Sequence, residues 1–431
     1  MEPRRVLLLA ATTGYQTRLF GEAADQLGIE LVLATDRCDQ LEDPWQDGAI
    51  PIRFHDEERS VAAILSAARL NPIAGLLAVG DRPTVIAAMT AEALGLRGHP
   101  PAAAAVARNK RYTRERLRDA GLPVPWFLAT SISADPGTIA RAVSYPCVIK
   151  PLALSGSRGV IRADDRQSFV EAFVRLQELL GGPDIRRERD AAHDAILVEG
   201  FIEGREFALE GLLDDGALHV LALFDKPDPL NGPFFEETLY VTPSGAAEFV
   251  QKQVVDAVAL ASAAIGLQHG PIHAECRVNP SSGEVFVLEV AARPIGGLCA
   301  RALRFERLTG PTSPISLEEL VLRHAIGESP DGWRREASSS GVMMVPIPRR
   351  GIYRGVAGVD RALEVSGVDD VRITAKPDQV LVPLPEGASY LGFIFAHGDR
   401  PADVELALRK AHVRLEFAID SELPMVQSRH G

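Results

Sequence analysis

The sequence predicts an α/β fold that opens with a doubly wound parallel sheet. Strand-like and helix-like segments alternate through the first hundred residues, and short Gly/Asp turns separate them. With 431 residues, 46% of them hydrophobic, the chain can fill two to four cores at about 100–200 residues each.

Val6–Ala11 is an unbroken apolar run, the pattern of a strand buried on both faces. Arg4 and Arg5 precede it as in a secretory leader, but six apolar residues fall short of the ~7–15 a leader core needs. A Gly14 turn and an amphipathic stretch, Thr17–Leu27, follow. Ile29–Ala34 is a second strand, Val61–Leu70 a helix, Gly75–Val79 a third strand ending at Gly80-Asp81, and Thr84–Leu94 a helix. No G-x-G-x-x-G follows the first strand, so the dinucleotide fingerprint is missing. Gly98-His99-Pro100-Pro101 breaks the alternation. One helix is expected over Ala102–Ala120, closed by Gly121, with Pro123 and Pro125 marking a new unit. Strand Pro146–Lys150, helix Asp165–Leu180 and a polar surface excursion over Gly181–Asp194 come next. Strands Ala195–Glu199 and Arg205–Leu213 and a helix over Ala246–Ile265 lead to strands Ile272–Val278 and Glu284–Val290, which the turn Asn279–Gly283 joins as a hairpin. Ser329–Ser340 reads as a linker. Beyond it, short strands and turns end in a helix near Ala402–Ala411.

Composition removes several function classes. A net charge of −12 leaves no basic footprint for nucleic acid. Cys38, Cys147, Cys276 and Cys299 form no C-x-x-C pair, so buried reduced thiols are expected. The longest weakly polar helix candidate, Val254–Leu267, is too short to span a bilayer, and a cytoplasmic protein is expected. Gly-Lys never occurs, and H-E-x-x-H, D-F-G and G-x-S-x-G are absent, against P-loop ATPases, zincins, kinases and α/β-hydrolases.

Three pieces of sequence carry chemistry. Only six residues are lysine (110, 150, 226, 252, 376, 410) among 46 basic ones, so a lysine is a choice against an arginine habit. Lys150 ends an apolar strand and is followed by Ser155-Gly156-Ser157-Arg158-Gly159. A fixed cation beside a flexible loop of backbone N–H groups suits a polyphosphate; a solvated lysine beside an ordinary turn is the alternative. In Ile196–Gly211 (ILVEGFIEGREFALEG), Glu199 and Glu206 flank a hinge. One acid could meet an adenine amine or order the strand and the other take ribose hydroxyls, unless both are hairpin surface charges. Alternation places His273, Glu275 and Arg277 on one strand face, and Glu289, Ala291 and Arg293 together on the next. Across the hairpin Glu275 and Glu289 face each other, which is unfavourable without a cation; oxygen ligands favour Mg²⁺ or Mn²⁺, with neutralisation by Arg277 or Arg293 as the alternative.

From about residue 75 to about 310 these elements occur in the order of the ATP-grasp superfamily, which the chain resembles: Asn109-Lys110, PCVIKP, SGSRG, VEGFIEGREF and the paired acids. Within it the chain is similar to the L-amino-acid ligases, which make dipeptides. FDKPDPLNGPFFEETLYVTPS (Phe224–Ser244) looks like their acceptor-pocket segment and ARPIGGLCARAL (Ala292–Leu303) like the segment carrying their substrate-facing arginine. The stretch from GVMMVPIPRRG to SYLGFIFAHGD looks like their small C-terminal lobe.

The resemblance implies an ATP-grasp fold with a Rossmann-like N-terminal domain (1–108), an ATP-grasp domain (109–310, lid about 121–197) and a small α+β C-terminal lobe (311–431). It implies that Lys110 and Lys150 hold ATP phosphates and that Ser155, Gly156, Ser157 and Gly159 cover them. Glu199 and Phe201 would sit at the adenine and Glu206 at the ribose, with Glu275 and Glu289 on Mg²⁺ or Mn²⁺. Arg293, Glu237, Tyr240, His273 and Gly297 would meet substrate, Arg293 and Lys150 being the catalytic pair; core packing is the plain reading of Phe234, Phe235 and Tyr240. The pattern has Asn two residues after the second acid, where this chain has Ala291. The implied reaction is ATP-dependent C–N bond formation between a small carboxylate and an amine through an acyl phosphate, with no nucleic-acid or membrane partner and a homodimer allowed. The alternatives are a bicarbonate-using carboxylase of the same superfamily and a non-catalytic ATP-binding module.

Overall fold

The computed structural model describes residues 4–11, 15–36, 48–310 and 313–421. The expected Gly14 turn and Cys38 lie outside them.

Strand Arg5–Ala10 is inside a four-stranded parallel sheet. Glu30–Asp36 pairs on one side, with Arg5 opposite Glu30, and Gly75–Val79 on the other, with Val6 opposite Gly75; Ile50–Ile52 forms the far edge. Leu7, Leu8 and Leu9 are all fully buried, as a strand covered on both faces requires.

The single helix expected over Ala102–Ala120 is two, Pro101–Arg108 and Lys110–Asp119. Asn109 is extended, and its side chain accepts hydrogen bonds from the backbone N–H groups of Arg111 and Tyr112 at 3.1 and 3.4 Å. A short amide competes with helix continuation in this way and caps the next helix instead. Lys110 therefore opens a helix.

The second unit is a four-stranded antiparallel sheet in the order Phe127–Ser131, Ala195–Gly200, Cys147–Pro151, Ile161–Ala163. Helix Arg166–Gly181 backs it, burying Phe169, Phe173, Leu176 and Leu180 at helical spacing, with Asp165 and Ser168 as a capping box. The supposed surface excursion Gly181–Asp194 is partly internal. It holds a turn of helix, Pro183–Arg186, with Ile185 buried, and the buried His193, whose ring contacts the Glu188 carboxylate at 3.0 Å.

An eight-stranded antiparallel sheet forms the centre, ordered Val285–Ala291, Gly270–Val278, Arg205–Asp214, Ala217–Asp225, Leu239–Thr242, Ser339–Val345, Gly392–Gly398, Val368–Ile373. Helix Glu248–Ile265 packs Val254, Val258, Ala261 and Ile265 against one end, and helix Pro401–Val413 packs against the other. The linker expected over Ser329–Ser340 is folded: Trp333–Arg335 pairs with Arg304–Arg307, and Ser339 and Ser340 begin a buried strand. The Ser340 hydroxyl donates to the Ala302 carbonyl at 2.6 Å, so its polarity is satisfied inside.

Candidate active site

Where the two antiparallel sheets and the carboxyl end of the parallel sheet meet lies a cavity of about 660 Å³. Every residue expected to bind ATP, metal or substrate lines it except Gly159, which has positive φ and where a Cβ would lie 2.8 Å from the Pro151 ring; Ala291 lies outside it as well.

Lys110 and Lys150 approach from one side. The Lys110 ammonium donates to the Leu154 carbonyl at 2.8 Å and lies 3.6 Å from Glu289. It stands on the first turn of its helix, where the dipole adds to its positive charge. The Lys150 ammonium is buried and bonded to Glu199. Burial pushes its pKa down to about 8, against the pull of Glu199 and with the push of Arg114 and Lys110. Gly156 and Ser157 follow with φ of +63° and +53°. Among the described residues their N–H groups make no hydrogen bond, which leaves donors beside the cavity.

Glu199 is held by a residue the sequence reading missed. Arg114, fully buried, donates to both Glu199 oxygens at 2.8 and 3.2 Å and to the Val287 and Leu288 carbonyls at 3.0 and 2.9 Å. One guanidinium thus ties a helix to both antiparallel sheets. Burial alone would raise the Glu199 carboxyl, but the charges of Arg114 and then Lys150 outweigh it and bring the pKa to about 2. Arginine is so common here that no sequence signal marked Arg114. Phe201 has two guanidiniums over its ring, Arg162 at 4.1 Å and Arg277 at 5.3 Å from the centroid.

Lys226 is the second omission. Its ammonium is 2.7 Å from carboxylate oxygens of Glu206, Glu237 and Glu275 alike, and those charges hold its pKa well above normal despite burial. Lysine scarcity was the signal that could have found it. The other Glu206 oxygen accepts from Arg277 at 2.8 Å. Three carboxylates against two cations leave the group one negative charge in excess. Burial and then Glu237 raise the Glu275 carboxyl. The Tyr240 hydroxyl donates toward Glu237 and Glu275 at 3.1 and 3.3 Å, and the His273 ring is held by the buried Glu210 at 3.1 Å.

Glu275 and Glu289 are direct partners in the hairpin register, with a bulge at Leu288 beside them. Their charges are divided: Glu275 turns to Lys226, and Glu289 to Lys110. Neither arginine bonds these acids, since Arg277 serves Glu206 and Arg293 bonds Asp81, although the charges of Arg293 and Glu289 still attract through space. Arg293 donates to Asp81 at 2.9 and 3.2 Å and to the Pro294 carbonyl at 3.1 Å. Asp81, read earlier as a turn residue, is the contribution of the parallel sheet to the site. Gly297, at φ +63°, abuts the Phe393 ring, which a Cβ would approach to 3.2 Å. Ala291 is buried and lines a small recess beside Glu289 without offering a donor.

Comparison with known proteins agrees with this architecture. Residues 21–98 match an ATP-grasp N-terminal domain, 143–302 an ATP-grasp domain, and 343–420 the L-amino acid ligase C-terminal domain 2. An uncharacterized protein of Sinorhizobium fredii, y4rH, is 24% identical over 428 residues, covering 96% of this chain and 83% of that one. The alanine–anticapsin ligase of Bacillus subtilis is 28% identical over 222 residues, 48% of this chain and 46% of that one, so the likeness spans under half of that ligase. The crystal structure of an L-amino acid ligase from Bacillus licheniformis superposes with a TM-score of 0.80 at 27% identity, covering 98% of this chain and 100% of that one. Sequence motifs, sheet order and these likenesses agree: the chain belongs to the ATP-grasp superfamily and carries the C-terminal domain of the L-amino acid ligases.

Proposed function

We propose that this protein is an ATP-dependent carboxylate–amine ligase, which activates an amino acid or related carboxylate as an acyl phosphate and joins it to an amine, releasing ADP and phosphate. The observation that supports it is the convergence of two lysines, a loop with open N–H groups, an excess of carboxylates and an arginine on one cavity.

Lys110 and Lys150 hold the phosphates, with the N–H groups of Gly156 and Ser157 above them. An ammonium has three donors, so Lys150 can keep Glu199 while it takes a phosphate oxygen. Glu199 acts mainly by aiming Lys150, and Phe201 offers the adenine an apolar face. Glu206 retains acceptor capacity for ribose hydroxyls, since a carboxylate has about four lone-pair sites. Glu275 and Glu289 fit Mg²⁺ or Mn²⁺: both are half-buried oxygen donors, and Glu289 accepts no hydrogen bond among the described residues. When bound, such an ion supplies charge neutralisation on the phosphates.

Arg293 spends three of its five N–H donors on Asp81 and Pro294, which leaves two to hold the substrate carboxylate and then the acyl phosphate. Glu237 and Tyr240 meet the substrate ammonium, whose charge answers the one in excess around Lys226. A substrate carboxylate oxygen attacks the γ-phosphorus and ADP leaves; the neutral amine nitrogen attacks the acyl carbon, phosphate leaves, and the proton shed by the nitrogen goes to the departing phosphate. No protein nucleophile enters, and catalysis is positioning and charge.

The test is phosphate release from MgATP across pairs of the twenty amino acids, with product masses measured. A pair that releases phosphate and yields the condensed mass is expected. Stimulation by bicarbonate alone would instead indicate the carboxylase, and no stimulation by either the non-catalytic module. Arg293→Lys should retain ATP binding and lose most amide formation, because an ammonium cannot replace the planar fork.

A further inference from the structure

At the far end of the strand that carries Glu206 lies a second group of titratable side chains. Asp214 ends that strand, eight residues and about 26 Å from Glu206. His269 precedes the neighbouring strand, where Gly270 pairs with Leu213, so the register places it beside Asp214. His324 comes from the last turn of helix Leu317–Ala325.

We propose that Asp214, His269 and His324 form a binding site for a transition-metal dication of the Zn²⁺ class, separate from the nucleotide cavity. His269 Nδ1 lies 3.2 Å and His324 Nε2 3.6 Å from Asp214 Oδ1, and all three ligand atoms lie within 4.8 Å of one another. Two ligands about 2.0 Å from a tetrahedral Zn²⁺ stand about 3.3 Å apart, so two of the three separations already fit. The two histidines are 7% and 2% exposed, and apart from the Asp214 carboxylate these same nitrogens meet no polar partner among the described residues.

His269, His324 and His99, with Arg97 but not Asp214, line an adjoining cavity of about 40 Å³, room for a water beside the ion. His99 itself offers no lone pair: Nδ1 accepts from the Gln268 N–H at 3.2 Å, leaving Nε2–H toward the Pro271 carbonyl at 3.4 Å. The fourth position is then left to water. Arg97 donates at 2.8 Å to the same Asp214 oxygen, Oδ1, which leaves Oδ2 as the oxygen free of the guanidinium, and Asp215 offsets the Arg97 charge at 2.6 Å.

The two rings stack at 4.2 Å with planes 24° apart, and to aim both lone pairs at one ion they must turn about χ2, a soft torsion for imidazole. Two imidazoles and one carboxylate favour Zn²⁺, Co²⁺ or Ni²⁺ over Mg²⁺. Half-exposed Asp214 gives access from solvent. The ion would pin two strands of the central sheet to helix Leu317–Ala325, which packs on the parallel sheet.

The test strips the full-length protein with a chelator, saturates it with Mg²⁺ to fill the hard oxygen site, and titrates Zn²⁺ by calorimetry and Co²⁺ by visible absorption. One equivalent of each is expected, with Co²⁺ bands of low coordination number and a Tm that rises with Zn²⁺. His269→Ala, His324→Ala and Asp214→Asn should each weaken binding on the order of tenfold or more, and Glu289→Gln should not. No uptake above Mg²⁺, or equal uptake in the histidine variants, overturns the site. If those variants do not fold, Asp214→Asn decides, and unchanged Zn²⁺ affinity there overturns it.

Discussion

The Lys150 ammonium and the Glu199 carboxylate are both buried, and their linkage to pH has opposite signs. Glu199 falls from 4.5 to about 2, which at about 1.4 kcal/mol per unit is roughly 3–4 kcal/mol of stability, present above pH 4.5 and lost as pH drops toward 2. Lys150 falls from 10.5 to about 8, a similar cost below pH 8 that is relieved as pH rises toward 10.5. At neutral pH the two nearly cancel, as is common for buried pairs, so what the pair provides is a fixed ammonium. Urea unfolding between pH 7 and pH 2 should show the acid loss in wild type and a shallower slope in Glu199→Gln; equal slopes would remove the pairing argument. Lys150→Ala should cost on the order of 2–5 kcal/mol in kcat/KM for ATP. Lys252→Ala should cost nothing measurable, because Lys252 is exposed and among the described residues pairs only with Asp256 one turn on. Comparable losses in both variants would refute the phosphate role of Lys150.

At the scale of elements, the hairpin Gly270–Val278 and Val285–Ala291 sets two acids directly opposite, a pairing that opposes its own ladder. The strain is relieved by sending each carboxylate to its own lysine, on elements far apart in sequence. Alternation was enough to read the shared face of His273, Glu275 and Arg277, all of which reach the cavity. It could not indicate Lys226 or Arg114, because which cation reaches a carboxylate depends on how three elements pack. Glu289→Gln should raise the Mg²⁺ concentration for half-maximal turnover severely, since Mg²⁺ demands near-octahedral oxygens. Ala291→Asn, which places an amide oxygen in the recess beside Glu289, should lower it. A Mg²⁺ titration of both variants checks this; full activity of Glu289→Gln would take the metal away from this hairpin.

Across the whole molecule, the helix and loop beside the small sheet that carries Lys150 bond to the C-terminal segment at Pro385 and Glu386. Arg175 bonds both carboxylate oxygens of Glu386, Arg158 donates to its carbonyl at 2.7 Å, and the Gly159 N–H donates to the Pro385 carbonyl at 2.8 Å. We propose this as the latch of the lid over ATP. The ion pair is half-exposed and each such contact contributes under about 1 kcal/mol, so Glu386→Ala should raise KM for ATP about two- to fivefold and leave Tm nearly unchanged. An unchanged KM would mean the lid closes without it. What the sequence determined by itself was local or periodic: the parallel-sheet strands, the apolar strand ending in Lys150, the hairpin and its two acids, and the ordered motifs that mark the superfamily. Those signals survive because strand alternation, turn chemistry and helix caps act within a few residues. Only the tertiary structure decided that Asn109 divides a helix, that Leu239–Thr242 pairs with Ser339–Val345 so that one sheet runs from the ATP-grasp core into the C-terminal segment, and that Arg114, Lys226 and Asp81 complete the site. Each of these rests on contacts between residues tens to hundreds of positions apart or on the choice between two locally permitted conformations, and charge pairing in a buried cavity is settled by packing, which no local pattern records.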